Sequence, residues 1–227
     1  VEPPARPPAP PELPPQVLQM QMPRTPPLLG IRSIMIDPGH GGNAPGAIGP
    51  TGLTEAEVVL DVALMVKKLI EDRLGIDVFL TRDQDIFIPL QDRTDMANQK
   101  KVDLFVSIHA NASPKRSAMG IETYLFGRTT DKEALAIAAR ENATNIRAAE
   151  DFQKVILGDL LRDFTINESL ELAHYTQEAF VKTLIPEYRT KSLGVKKAPF
   201  YVLAHTEMPA ILAEISFVSN RIEEERL

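Results

Sequence analysis

Two histidines and two glutamates lie beside short apolar runs, where their side chains could take part in chemistry. His40 follows residues 34–36 in a glycine-rich loop, and His109 directly follows the run 102–108. Glu214 lies near the end of the run 210–215, and Glu55 begins an amphipathic segment. Two imidazoles and a carboxylate are enough to hold a zinc ion that keeps a fourth position for water. The residue types therefore predict metal-assisted hydrolysis.

Glu214 is the candidate for proton transfer. A carboxylate that does not bind the metal can take a proton from the water and pass it to a leaving amine. A charge close to the end of a strongly apolar strand is costly unless it has a partner or a function. The alternative for Glu214 is a buried acid with a purely structural partner.

Apolar runs alternate with segments of helical periodicity. Strands are predicted at 34–36, 77–81, 102–108, 120–126, 200–203 and 210–215, and helices at 54–75, 90–100, 131–147 and 165–184. This alternation indicates a single α/β domain of three layers, a mostly parallel twisted sheet with helices on both faces. Functional side chains in such sheets lie beyond the carboxyl ends of the strands. His40, His109 and Glu214 are therefore expected at one edge, with Glu55 in the first turn of the helix after the His40 loop.

The composition narrows the functional classes. The 227 residues suit one well-cored domain, and a net charge of −6 argues against nucleic acid, whose binding proteins usually carry a basic patch. The sequence has no cysteine, so a metal must be bound by His, Asp or Glu. No apolar run approaches the length of a transmembrane helix. Residues 1–30 are rich in proline, which predicts a semi-rigid linker after a preceding domain.

Three motifs carry a resemblance to a known family. They read IDPGHGG at 36–42, SIHAN at 107–111 and MPAILAEISFVSN at 208–220. With Glu55 before its helix, they make residues 31–227 resemble the zinc-dependent N-acetylmuramoyl-L-alanine amidases of the Amidase_3 family, of the periplasmic division type. The resemblance implies hydrolysis of the amide between N-acetylmuramic acid and L-alanine in peptidoglycan. It also implies one Zn²⁺ per domain on His40, Glu55 and His109, with Glu214 as the catalytic acid and base.

The same resemblance sets expectations for location and partners. The proline-rich start resembles the linker that joins such domains to an N-terminal AMIN-type domain. We therefore expect a periplasmic enzyme of cell-wall remodelling and daughter-cell separation. Its partners would be peptidoglycan and an activator protein, without nucleic acid or a transmembrane segment, and the domain would be a monomer.

Residues 148–164 resemble an insertion relative to the smallest amidases of this type. Some division-associated members carry an inserted helix that covers the zinc cleft until an activator displaces it. We predict that this segment is autoinhibitory, and that Glu141, or as second choice Glu150, takes the open position on zinc. The alternative is that its apolar residues simply cover the sheet.

Three further residues are candidates for supporting roles. Asp37 is expected to support the His40 loop by hydrogen bonding rather than to bind metal. Asn111 would orient substrate or close the strand turn, and Glu122 would face the site from behind. The acidic residues 223–225 predict a solvated face. Two other functions stay open: an inactive peptidoglycan-binding scaffold with the amidase fold, and a zinc peptidase that cuts within the stem peptide.

Overall fold

Six strands form one sheet, and the computed structural model describes them within residues 30–156 and 163–227. The strands are β1 (Ser33–Pro38), β2 (Asp77–Leu80), β3 (Leu104–Asn111), β4 (Ile121–Phe126), β5 (Ser192–Ala198) and β6 (Ala210–Phe217). Their order is β2-β1-β3-β6-β4-β5. Only the β4–β6 pair is antiparallel, so the mostly parallel sheet of the prediction is confirmed.

Helices cover both faces of the sheet. They are α1 (Glu55–Leu74), α2 (Leu90–Lys100), α3 (Lys132–Glu141), α4 (Ile146–Ile156), α5 (Asp163–Tyr188), α6 (Tyr201–Ala204) and α7 (Arg221–Glu224). In β1, Ile34 and Ile36 pack with α1, whereas Met35 between them packs with α2, α3 and α6. Helix α5 packs on Leu125 and Ile211. The predicted three-layer α/β class is confirmed.

The start of α1 is fixed by its cap. The Thr54 hydroxyl accepts from the Glu57 amide, and the Glu57 carboxylate accepts from the Thr54 amide, as the sequence predicts for a capping box. Gly75 ends the helix in a left-handed conformation at φ 64°. Because the cap defines the first helical residue, it also defines where Glu55 projects.

Two element predictions are wrong. Residues 200–203 do not form a strand, because 201–203 belong to α6. The edge strand is instead β5, whose glycine and lysines are not typical of a strand. The predicted helix 131–147 is broken between α3 and α4. Ala143 there takes a positive φ of 51°, and the Asn142 side chain donates to the Pro199 carbonyl at 2.8 Å instead of facing water.

The described residues of the predicted autoinhibitory insertion lie on α4 (148–156) and at the start of α5 (163–164). Phe152 of α4 packs on the Tyr201 ring, with centroids 4.1 Å apart. Residues 157–162 of the insertion and residues 1–29 of the predicted linker lie outside the described residues. Among the helices that the structure does describe, none has the length and apolar character needed to span a membrane.

Candidate metal centre

His40 lies in a tight loop directly after β1. It has a left-handed φ of 59°, which is uncommon for a residue with a side chain. The Gly39 amide donates to the Ile108 carbonyl at 3.0 Å, which holds the loop against the end of β3. A Cβ at Gly39 would lie 2.4 Å from His109 Cε1. The glycine therefore lets the His109 ring pack against the loop that carries His40.

Glu55 is fully buried in the first turn of α1. Two backbone amides from different segments orient its carboxylate. Ala47 donates to Oε2 at 2.9 Å and Ala110 donates to Oε1 at 3.0 Å. A Cβ at Gly46 would lie 2.6 Å from Oε2, so this approach requires a glycine. The backbone thus fixes the orientation of the carboxylate.

His109 lies at the carboxyl end of β3 and meets both acids of the cluster. Its Nδ1 is 3.0 Å from Glu55 Oε1 and 3.1 Å from Glu141 Oε2. His40 Nε2 is 3.2 Å from Glu55 Oε2 and 2.9 Å from Glu141 Oε2. One possible ligand atom from each of these four residues lies within 4.8 Å of the others.

The donor set fits a zinc ion. Within the described part of the chain, His40 Nε2 and Glu141 Oε2 are buried 2.9 Å apart, yet neither makes a well-aligned hydrogen bond. Buried polar atoms in poor hydrogen-bond geometry are costly unless something else binds them. Two imidazole nitrogens and two carboxylate oxygens suit tetrahedral zinc, whereas calcium and magnesium prefer a shell of oxygen atoms.

The charges inside the cluster compensate one another. Burial would lower the pKa of His109, but Glu141 and Glu55 outweigh it and raise that pKa well above 6.5. Burial and the Glu141 charge would raise the pKa of Glu55, yet His109 and His40 hold it at about 2. Two carboxylates therefore face two imidazoles. Their negative charge can be balanced by protons on the imidazoles or by a bound cation.

Glu214 lies beside the cluster on the neighbouring strand. In the β3–β6 register it is paired with His109, so both side chains project from the same face of the sheet. Its carboxylate is fully buried, and neither oxygen has a hydrogen-bond partner among the described residues. Burial, followed by the charge of Glu141, raises its pKa well above 4.5. A desolvated carboxylate of this kind is a strong proton acceptor.

Glu141, the first choice for an inhibitory ligand, is the last residue of α3 and lies in the cluster. The second choice, Glu150, lies on α4 outside the cluster. Arg140 Nε contacts Glu141 Oε1 at 2.7 Å, and Arg140 Nη2 is 4.0 Å from Glu214 Oε1. Arg140 also donates to the Ala112 carbonyl at 2.7 Å, which ties the end of α3 to the end of β3.

Asp37 is buried at the end of β1 and lies outside the cluster. Its Oδ1 accepts from Thr81 at 2.6 Å and from Arg93 at 2.8 Å. Its Oδ2 accepts from Ser107 at 2.7 Å. These contacts agree with the predicted supporting role beneath the His40 loop.

Asn111 and Glu122 form a polar network behind Glu214. Asn111 Nδ2 donates to Glu122 Oε1 at 2.7 Å, and Lys196 Nζ donates to Glu122 Oε2 at 2.6 Å. Glu122 is directly opposite Glu214 in the antiparallel pair. Asn111 Oδ1 accepts from Arg140 at 3.2 Å, so this network reaches the residue next to Glu141.

Sequence reasoning missed three arginines of this region: Arg82, Arg93 and Arg140. Arg82 follows the strand run 77–81 as His40 follows the run 34–36, so its position after a strand was an available signal. Arg93 and Arg140 lie on predicted helices, where an arginine is usually a solvated residue.

Comparison with known proteins decides the family. The Amidase_3 family profile, described as N-acetylmuramoyl-L-alanine amidase, matches residues 34–227. The chain belongs to the Amidase_3 family. N-acetylmuramoyl-L-alanine amidase AmiA of Escherichia coli K12 is 36% identical over 206 residues, covering 87% of this chain and 69% of that protein. AmiC of Neisseria meningitidis is 36% identical over 197 residues, covering 86% of this chain and 47% of that protein.

Solved structures of N-acetylmuramoyl-L-alanine amidases share the fold. The N-acetylmuramoyl-L-alanine amidase of Clostridium difficile 630 superposes with a TM-score of 0.64 at 28% identity, covering 86% of this chain and 85% of that one. The catalytic domain of the amidase CwlV from Paenibacillus polymyxa gives 0.59 at 28% identity, covering 86% of each chain. The α/β architecture of this chain is therefore that of amidase catalytic domains.

Proposed function

We propose that this chain hydrolyses the amide between N-acetylmuramic acid and L-alanine of peptidoglycan. One zinc ion would be held by His40, Glu55 and His109, and Glu214 would be the general base and acid. One observation carries the proposal: the buried acid Glu214, which has no hydrogen-bond partner in the described part of the chain, lies beside a preorganised His/Glu cluster. Membership of the amidase family supplies the substrate class.

The side chains divide the chemistry between them. A zinc ion bound here would polarise the scissile carbonyl and lower the pKa of a water molecule to about 7. The two amides on Glu55 hold that ligand in place. A carboxylate oxygen of Glu214 would accept a proton from the attacking water. The same oxygen would then return the proton to the nitrogen of the departing L-alanine.

The test is digestion of purified sacculi by the zinc-loaded protein, with products read by mass spectrometry. We expect free stem peptides that begin with L-alanine. Glu214→Gln should reduce their release by about 10²–10⁴-fold, the usual contribution of general acid–base catalysis, with zinc content unchanged. The exposed Glu207→Gln is the control and should match wild type.

Other outcomes would replace this function. Peptides cut inside the stem would indicate a zinc peptidase. The protein could also be folded and zinc-bound yet stay inactive even when the contact of Glu141 with the cluster is removed. That outcome would indicate a peptidoglycan-binding scaffold.

We also propose that Glu141 holds the basal activity of the enzyme low. Catalytic zinc sites use three protein ligands and leave one position for water, whereas four side chains converge here. Arg140 holds the Glu141 carboxylate at 2.7 Å and lies near Glu214. A movement of the end of α3 would therefore withdraw Glu141 from the cluster and Arg140 from Glu214 at the same time. The segment 148–164 that follows would be what an activator protein displaces.

Glu141→Ala tests this inhibitory contact. It should raise basal release of stem peptides at saturating zinc, because the fourth position becomes free for water. Glu150→Ala on α4 changes an acid outside the cluster and should leave the basal rate as in wild type. Unchanged or lower activity of a folded Glu141→Ala protein would refute the inhibitory role.

We also propose a location and an assembly for the protein. The enzyme would act in the periplasm during daughter-cell separation, as its resemblance to division-type amidases implies. The domain organisation remains the predicted one, with residues 1–30 as a linker after an AMIN-type domain. A monomeric catalytic domain stays a prediction.

A further inference from the structure

Two arginines that the proposed mechanism does not use are buried next to the metal centre. Arg82 and Arg93 are each 2% exposed. A buried guanidinium is costly unless its donors are satisfied. Arg93 Nη1 lies 2.8 Å from Asp37 Oδ1 and forms an ion pair with it. Among the described residues, Arg82 hydrogen-bonds no carboxylate, and its donors reach only backbone carbonyls.

The carbonyls that the two arginines bind belong to the loop that carries His40. Pro38 accepts from Arg82 Nε at 3.0 Å and from Arg93 Nη1 at 2.8 Å. Gly39 accepts from Arg82 Nη2 at 2.7 Å, and His40 accepts from Arg93 Nη2 at 2.7 Å. Three consecutive carbonyls, ending at His40 itself, are thus held by two guanidinium groups.

Arg82 also joins two ligand-bearing segments. Its Nη2 donates to the Gly39 carbonyl at 2.7 Å and to the Ala56 carbonyl at 2.9 Å. Gly39 precedes His40, and Ala56 follows Glu55. One nitrogen therefore fixes the distance between the backbone of the His40 loop and the first turn of α1.

The loop needs such restraint because of its conformation. His40 has φ 59°, a region that side-chain-bearing residues enter only when their surroundings impose it. A small change in that angle would swing the imidazole away from the Glu55 carboxylate, which two backbone amides hold independently.

We propose that Arg82 and Arg93 are positioning residues. They form a carbonyl clamp that fixes the His40 imidazole relative to Glu55, and the clamp thereby sets the affinity for zinc. This inference rests on the proposed zinc site. It assigns the two arginines no contact with substrate.

The first test compares Arg82→Lys with Val78→Ala. Lysine keeps the charge, but its compact ammonium cannot reach the Pro38, Gly39 and Ala56 carbonyls together. Val78 is 2% exposed on β2 and belongs to the apolar cluster between the sheet and α1, so its truncation serves as a control for lost stability. Zinc dissociation constants come from chelator competition, and the stability of the metal-free proteins comes from thermal melting.

We expect Arg82→Lys to bind zinc about 10–100-fold more weakly, the range found when groups that orient metal ligands are changed. Val78→Ala should lower the melting temperature yet bind zinc within about twofold of wild type. Arg93→Lys keeps a partner for Asp37 but loses the His40 carbonyl, so it should also weaken zinc binding. It carries the test alone if Arg82→Lys fails to fold.

The second test is a double-mutant cycle with His40→Ala. If the clamp acts through His40, Arg82→Lys should have no further effect on zinc affinity once His40 is absent. An equal loss in both backgrounds would overturn the proposal in favour of a general structural role. Zinc affinity unchanged in folded Arg82→Lys and Arg93→Lys would overturn it too. Wild-type protein that binds no zinc at all would refute the proposed function and the clamp together.

Discussion

At the scale of single residues, the acids at the carboxyl edge of the sheet differ in what surrounds them. Asp37 faces Arg93 and two hydroxyl groups, and its pKa is lowered although burial alone would raise it. Glu214 is equally buried, but no hydrogen bond within the described residues stabilises its charge, and its pKa is raised. Environments that push two carboxylates apart in pKa give them different functions: Asp37 is a fixed anion, and Glu214 can exchange a proton.

Asp37→Asn should destabilise the protein at neutral pH. The change leaves Arg93 buried without its counter-charge, which usually costs about 3–5 kcal/mol. Since the folded-state pKa of Asp37 lies below 3.8, its stabilising effect is complete above that value and is lost as the pH falls through the folded-state pKa. The difference in unfolding free energy between wild type and variant, from urea titrations, should therefore shrink in acid.

The exposed Asp83→Asn is the control for this measurement and should change stability by less than about 0.5 kcal/mol at any pH. A variant as stable as wild type at neutral pH would show that Arg93 does not depend on Asp37. A difference that stayed constant into the acid range would show that the carboxylate charge is not what stabilises.

The sequence located the cluster residues through one regularity. His40 follows β1, His109 lies near the carboxyl end of β3, and Glu214 is paired with His109 on β6. Parallel strands bring such positions to one edge. The geometry between these residues was not predictable. It depends on Gly39 and Gly46 making room and on Arg82 and Arg93 binding carbonyls of the His40 loop that are 43–55 residues away in sequence. No local pattern encodes such contacts.

At the scale of elements, the end of the described chain corrects a prediction. Residues 223–225 were expected to form a solvated face, but Glu223 and Glu224 on α7 are 2% and 4% exposed. Glu223 Oε2 accepts from the Phe217 amide at 2.8 Å and the Gly120 amide at 3.3 Å, and its Oε1 accepts from Thr190. Glu224 Oε1 accepts from the Thr51 amide at 2.8 Å. Short α7 thus joins β6, β4 and the loop after His40.

Glu223→Gln should loosen this junction. The amide keeps one acceptor oxygen but cannot serve the Phe217, Gly120 and Thr190 donors together, so a buried donor loses its partner at a cost of about 1–3 kcal/mol. Urea unfolding would measure this loss. Glu225→Gln changes only an exposed pair with Arg221 and should cost less than about 0.5 kcal/mol. Equal stability of the two variants would mean that α7 contributes nothing to the fold.

Element type was predictable where one face is strongly apolar and uncertain where it is not. Strands β1, β3 and β6 are buried on both faces, and their apolar runs identified them. Edge strand β5 is half-exposed, so its sequence LGVKK reads like a loop. The short apolar run at α6 resembles a buried strand in sequence. Its burial instead comes from the Phe200–Tyr124 contact and from neighbouring α2, and local sequence does not reveal either.

At the scale of the whole molecule, the metal centre joins β1, β3, α1 and α3, so metal binding should stabilise the entire domain. A ligand that binds only the folded state adds about 4 kcal/mol at a thousand times its dissociation constant. For a domain of this size, that corresponds to a rise of about 8–16 °C in melting temperature. Thermal melting with excess zinc and with a chelator should show this gap, and magnesium should not replace zinc.

The gap should also widen as the pH rises. Glu141 and Glu55 raise the pKa values of His40 and His109 against the effect of burial. A raised folded-state pKa contributes stability that is complete below the unfolded value of 6.5 and is lost as the pH rises through the folded-state pKa. The metal-free protein therefore loses the stabilising protons that zinc replaces. Melting curves between about pH 6 and about pH 9 should show the zinc-dependent gap growing, whereas His109→Gln should show little gap at any pH. A gap that narrowed with rising pH would mean that zinc does not compete with protons at these two histidines, and that the cluster is not its site.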